Sequence, residues 1–412
     1  MTLDWFLLLG STSAALLWAA VSTYVLHVNR SRERARATAS SVLQTLQEGS
    51  ARRSGTTESA AQVRPLLEKL SRDMVLHTAA DSATPREAFD VLTNFLIERW
   101  TLDVLVREAT THRRPRDVWR RVAALRILLQ RNHQDAMDLL DRAVGDADAD
   151  VADAAMSMLG SSHDRAAVEI LIRALTGKRQ PASRVAVHLE RSPLRPCDEL
   201  RKLLTDPDPL ARAWGARLLG EYPGVRGLET ELAALADDAD AGVRKAAVAS
   251  LGRIGDELAA NAAFRLLQDP VPFVRAHAAR ALGDLERADH AAAVAVLLGD
   301  ADWWVRAAAK QALEAMGPEV WTALVSCLNH EDRFVRNGAA EVFQNLGILD
   351  SLVVMEAASD SPSPAKVDLL RRIAQAGGAR LTDSLVERAG PSTGPKIRRL
   401  LATMGLEHVG AA

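Results

Sequence analysis

The sequence predicts an all-α fold: a stack of helical hairpins preceded by one N-terminal transmembrane helix. Three observations predict it. Hydrophobic residues make up 48% of the 412 positions but aromatic residues only 4%, so the core rests on Ala, Leu and Val, which favour helices over sheets. A run of 24 residues near the start, Trp5 to Val28, holds no Asp, Glu, Lys or Arg. A turn-and-helix pattern then recurs at intervals close to 31 residues through the later part of the chain.

The first element is the apolar run WFLLLGSTSAALLWAAVSTYVLHV. At about 1.5 Å per residue it is long enough to cross a hydrocarbon core of roughly 30 Å. Trp5 and Tyr24 stand near its ends, where interfacial aromatic residues gather. A cleaved signal peptide would carry basic residues before the apolar core, and no Lys or Arg precedes Trp5. Arg30, Arg32, Arg34 and Arg36 follow it instead. The positive-inside rule then predicts an N-terminus outside and the rest of the chain in the cytoplasm. Residues 1–29 are thus expected to form an anchor. Residues 30–62 are expected to form a basic juxtamembrane segment and a flexible linker, because Glu48 to Gln62 is small, polar and aperiodic.

Residues 63–112 read as an N-terminal helical cap. Val63, Leu66, Leu67, Leu70 and Met74 share one stripe. Thr84-Pro85 offers an N-cap followed by proline, and a helix running through Arg107 carries Phe89, Leu92, Phe95, Leu96, Trp100 and Val104. This pair departs from the later repeats, as a terminal unit closing one end of a stack would.

Residues 113–412 carry the periodicity. Asp238 begins DADAGVRKAAVASLG, Asp269 begins DPVPFVRAHAARALG, Asp300 begins DADWWVRAAAKQALE and His330 begins HEDRFVRNGAAEVFQ. The Arg after Val falls at 244, 275, 306 and 336. Arg212, Arg184, Ala152 and Arg121 extend the register backwards, and Lys366 and Lys396 extend it forwards. The leading Asp of each turn, and Asp240 and Asp302 beside it, are placed to cap the helix that follows. Pro207, Pro209, Pro270 and Pro272 stiffen the same turns. Val243, Val274, Val305 and Val335 open a buried stripe that Leu219, Leu251, Leu282, Leu313 and Phe343 continue. Ala247, Ala278 and Ala309 leave room for neighbouring helices.

The D-x-x-x-x-V-R-x-x-A-A-x-x-L core resembles HEAT repeats, specifically the short bacterial type also found in phycobilin-lyase-like proteins. The resemblance spans roughly Arg114 to Leu406 and is best from Asp206 to Gly347. It implies a right-handed α-solenoid of HEAT-like helical hairpins. It also implies that the row Arg212, Arg244, Arg275, Arg306 and Arg336 pairs with the turn Asp of a neighbouring unit, as a structural ladder.

The sequence assigns no catalytic, cofactor-binding or metal-ligating residues. It has no phosphate-binding or dinucleotide fingerprint, no HExxH and no Cys-x-x-Cys. His330-Glu331 is a lone His-Glu pair, whereas the di-iron HEAT enzyme deoxyhypusine hydroxylase uses several. Cys197 and Cys327 cannot build a disulfide framework and suit a reducing compartment. Lys and Arg total 51 against 53 Asp and Glu, so the chain lacks the basic excess of a nucleic-acid binder. The basic residues comprise 44 Arg and 7 Lys, a usage that suggests a GC-rich bacterial genome and hence a bacterial inner membrane.

One feature is not demanded by the scaffold. Phe273, Trp304 and Phe334 stand two residues before the Arg in three successive repeats, and Trp303 precedes Trp304; Leu210 and Gly242 hold the same register elsewhere. Stacking would align these rings along one edge, either as an anchor for a protein partner or as packing between repeats. Arg217, Arg280, Gln311 and Glu341 share a second register, expected to face solvent. The sequence therefore predicts a membrane-anchored noncatalytic scaffold or adaptor that binds a protein partner, with no nucleic acid, cofactor or small-molecule substrate. A regulatory or accessory subunit of a membrane enzyme, or a lyase-type small-molecule-binding protein, is the competing expectation.

Overall fold

The computed structural model describes residues 56–405, apart from 81–85, 111–117, 178, 223, 256, 360–362 and 389, together with a few residues between 37 and 45. The described residues are helical, with no strands among them. The expected anchor at residues 1–29, the arginines from Arg30 to Arg36 and the Thr84-Pro85 cap all lie outside the described residues. Among the described residues no helix is long and apolar enough to cross a membrane.

The chain divides into two compact units, Met1–Pro181 and Ala182–Ala412. In the first, α1 (Thr56–Leu67), α2 (Arg72–Ala80), α3 (Arg86–Trp100) and α4 (Leu102–Thr110) precede α5 (Val118–Gln130), α6 (Ala136–Val144), α7 (Ala149–Gly160) and α8 (Arg165–Thr176). Helix α1 begins at Thr56, inside the stretch expected to be linker. Both long helices expected in residues 63–112 are broken. The first breaks because the Ser71 hydroxyl accepts the Met74 N–H at 3.3 Å and starts a new helix. The second breaks at Thr101, whose φ of 60° lies in the left-handed region. Helices α2 and α4 both pack on α5.

The second unit contains α9 (Ala182–Glu190), α10 (Cys197–Leu203), α11 (Pro209–Leu219), α12 (Leu228–Leu235), α13 (Ala241–Ile254), α14 (Glu257–Leu266), α15 (Pro272–Asp284), α16 (Ala291–Val296), α17 (Trp303–Ala315), α18 (Trp321–Cys327), α19 (Arg333–Asn345), α20 (Ile348–Ala358), α21 (Pro364–Arg388) and α22 (Gly390–Thr403). Short 3₁₀ turns flank α16 and precede α18. The second helices of successive hairpins, α11, α13, α15, α17 and α19, each pack on the next and form one layer. The first helices, such as α12, α14, α16 and α18, lie against them. Val243, Val274, Val305, Leu219, Leu251, Leu282, Leu313 and Phe343 are fully buried, as their register predicts.

Within the layer, two glycines stand against the backbone of the next helix. A Cβ on Gly252 would lie 2.9 Å from the Ala281 Cα, and one on Gly283 would lie 2.7 Å from the Ala312 Cα. Ala247, Ala278 and Ala309 are buried as expected. Beyond α20 the pattern loosens: α21 is kinked at Gly378, whose φ is 69°. Lys366, in register with the arginines, turns back to Glu356 at 3.1 Å.

Candidate partner-binding edge

The turns between paired helices are built by two acidic positions with separate jobs. The first closes the turn. Asp206, Asp238, Asp269 and Asp300 each accept the N–H two residues on, at 2.8 to 2.9 Å. The second caps the helix. Asp208 accepts the Leu210 N–H at 3.0 Å, Asp240 the Val243 N–H at 3.1 Å and Asp332 the Phe334 N–H at 2.7 Å. Asp302 departs from expectation: its side chain makes no cap hydrogen bond. Its carboxylate leans instead toward Arg275, at 3.7 Å.

Three of the five expected rungs of the arginine ladder are present; among the described residues Arg306 and Arg336 bond only the carbonyls of their own turns and meet no carboxylate. Arg212 donates through Nε and Nη2 to both oxygens of Asp238, at 2.8 and 3.0 Å. Arg244 holds Asp269 at 2.7 and 3.0 Å, and Arg275 holds Asp300 at 2.8 and 2.9 Å. The third nitrogen, Nη1, returns to the carbonyl of the arginine's own turn. Each guanidinium therefore ties one repeat to the next by a two-point bond. The Arg212 hydrogen bonds hold the Asp238 carboxyl below the usual carboxylate range. Burial pushes Asp269 and Asp300 up, but their arginines and turn N–H groups reverse that, and both end below the ordinary value. In the first unit, buried Arg121 pairs with Asp146 through Nη2.

The aromatic row stands on the same turns. Phe273, Trp304 and Phe334 are each the second residue of their helix, one position before a buried Val. A step of about 100° takes them off the buried stripe. Phe273 is 37% exposed, Trp303 72%, Trp304 43% and Phe334 44%. Leu210 in the same register is also exposed. Cations attend the row. Lys245 Nζ lies 5.9 Å from the centre of the Phe273 ring, while the Arg306 and Arg333 guanidiniums lie 4.5 and 5.0 Å from that of Phe334. Arg217, Arg280, Gln311 and Glu341 are exposed on a separate ridge.

Sequence reasoning missed a groove of about 580 Å³ between α16 and α18. Alanines floor it, Val296 stands exposed on its wall, and Asp289, Glu319 and Asp332 line it without any Lys or Arg. An apolar segment such as HAAAVAVLL reads as core, and only the short 3₁₀-flanked form of α16 turns Val296 outward. Cys327 and His330 also reach this groove. Burial pushes the Cys327 thiol up, away from the reactive thiolate. Burial likewise raises Cys197, more than Arg195 lowers it. Among the described residues no group of three His, Cys, Asp or Glu side chains is placed to hold a metal ion.

The family profile described as HEAT repeats matches residues 197–276 and 263–344. No curated protein matches the chain. Among solved structures, an engineered protein is 19% identical with a TM-score of 0.40, covering 89% of this chain and 99% of its own. Kap121p bound to Nup53p is 16% identical with a TM-score of 0.42, covering 89% of this chain and 49% of that one. Human deoxyhypusine hydroxylase in complex with glycerol is 18% identical with a TM-score of 0.27, covering 62% of this chain and 99% of its own. Residues 197–344 thus carry HEAT repeats, which stack in the second unit as an all-helical solenoid.

Proposed function

We propose that the protein is a noncatalytic scaffold, held at a membrane by its N-terminal segment, that docks a protein partner on the turn edge carrying Phe273, Trp303, Trp304 and Phe334. The observation that carries this reading is the exposure of Phe273, Trp304 and Phe334 in one register of successive repeats, with Trp303 exposed beside Trp304. Each keeps more than a third of its surface open to solvent, and rings exposed in a row are the usual anchors of protein interfaces. The membrane part rests on the uncharged run from Trp5 to Val28 and the arginines that follow it. By the same rule the solenoid lies in the cytoplasm and the N-terminus outside.

Two measurements test the reading. A crosslinking pull-down from membranes with the full-length protein should capture a partner, and Trp303→Ala with Trp304→Ala should weaken capture by about 2 kcal/mol while leaving helicity and melting nearly unchanged. Lost stability with intact capture would end the docking role. A reporter fused after Ala412 should be active only in the cytoplasm, and a periplasm-dependent signal there would reverse the orientation.

A further inference from the structure

Three successive rungs of the arginine ladder are closed, and the fourth has lost its carboxylate. The turn after Arg306 offers His330 where the preceding turns offer Asp238, Asp269 and Asp300. The imidazole reproduces half of the Asp role. Its Nδ1 accepts the Asp332 N–H at 3.0 Å, much as Asp300 accepts the Asp302 N–H at 2.9 Å. With Nδ1 used, it has no second acceptor for a guanidinium.

Arg306 keeps its hold on its own turn through Nη1, 2.7 Å from the Asp300 carbonyl and 2.9 Å from that of Ala301. Its Nε and Nη2 make the two-point bond in the other rungs, and here they meet no carboxylate among the described residues. The guanidinium lies instead against Phe334, with Arg333 near the same ring. Arg333 has no ion pair among the described residues either. Two guanidiniums thus converge on one exposed ring, and Arg306, two residues after Trp304, leaves open the two nitrogens with which the other rungs bind a carboxylate.

We propose that this edge of Arg306 receives the carboxylate of an Asp or Glu from an extended segment of a protein partner, with a neighbouring apolar residue resting on the aromatic row. The proposal rests on the docking role of the turn edge and adds its chemistry. The three closed rungs show the geometry that awaits the carboxylate. A phosphate fits less well, because Asp302, Glu331 and Asp332 on the adjoining turns disfavour a dianion.

The test uses the full-length protein and a phage-displayed library of random heptapeptides, with recovered sequences resynthesised as fluorescein-labelled amides and measured by fluorescence polarisation. Recovered peptides should carry Asp or Glu beside an aromatic or aliphatic residue, and replacing that acid by its amide should weaken binding about tenfold. Arg306→Gln should weaken binding to the same degree. His330→Asp is the decisive variant. It supplies the carboxylate within the chain, so it should raise the melting temperature by about 2–4 °C and weaken the peptide about tenfold, a pairing that damage to the fold would not produce. Peptides without an acid, peptides bound only when phosphorylated, or binding indifferent to both variants would overturn the carboxylate site. If such peptides still depend on Trp303 and Trp304, the docking edge survives without it. An empty selection would overturn both.

Discussion

Arg244 and Asp269 stand 25 residues apart in sequence and meet through two parallel hydrogen bonds of 2.7 and 3.0 Å across the boundary between repeats. The same carboxylate accepts the Val271 N–H at 2.8 Å, so one side chain closes its own turn and receives the preceding repeat. Asp269 is buried, which makes the pairing obligatory once the turn has formed.

Arg244→Gln should therefore cost about 3 kcal/mol, because it leaves a buried carboxylate without its counter-charge. Arg244→Gln combined with Asp269→Asn should cost clearly less than the sum of the single changes. Urea melts of the four proteins give the coupling. Additive losses would mean that the pair contributes nothing as a unit.

The two capping positions should separate. Asp240→Ala removes a hydrogen bond to the Val243 N–H and should cost about 1 kcal/mol. Asp302→Ala removes no such bond and should cost only a few tenths of that, since its contact with Arg275 is long and partly exposed. Thermal melts compared side by side decide the order, and equal losses would contradict the geometry.

Two substitutions probe the layer of second helices. Val305→Asp buries a charge with no partner and should cost several kcal/mol. Gly283→Ala puts a methyl 2.7 Å from the Ala312 backbone and should cost about 1–3 kcal/mol by forcing two helices apart. An unchanged melting temperature for Val305→Asp would place the register wrongly.

His277 sets a pH dependence. Burial, with Arg280 and Lys245 nearby, pushes its imidazole down to about 4. The unfolded chain, near 6.5, binds the proton first, so the contribution of neutral His277 is complete above about 6.5 and is lost as the pH falls toward 4. His277→Gln should flatten the stability profile between those values while leaving the carboxylate-linked loss at lower pH. Denaturant midpoints taken from pH 7 to pH 4 measure it. An identical slope in the variant would assign the dependence elsewhere.

The repeat was legible because it is written locally. Asp, Val, Arg, Ala and Leu fall at fixed offsets, and each acts within one helix or on the adjoining turn. Val243, Val274 and Val305 could be placed in the core, and Arg212, Arg244 and Arg275 in a ladder, before any coordinates. The breaks at Ser71 and Thr101 were hidden because both lie inside continuous apolar stripes. A stripe records which face is buried and not whether the backbone beneath it is unbroken.

The sequence by itself determined the helical class, the period, the ladder pairs of Arg212, Arg244 and Arg275 and the register shared by Phe273, Trp304 and Phe334. Only the tertiary structure decided that those rings stand exposed, that Asp302 leans toward Arg275 instead of capping, and that Gly252 and Gly283 lie too close to the next helix's backbone to carry a Cβ. It also decided that Arg306 meets no carboxylate among the described residues. The physical reason is that periodicity fixes the direction of a side chain around its own helix, whereas burial and ion pairing depend on which neighbouring repeat arrives opposite it. That partner lies 25 residues away in the Arg244 and Arg275 pairs, and its identity matters as much as its position.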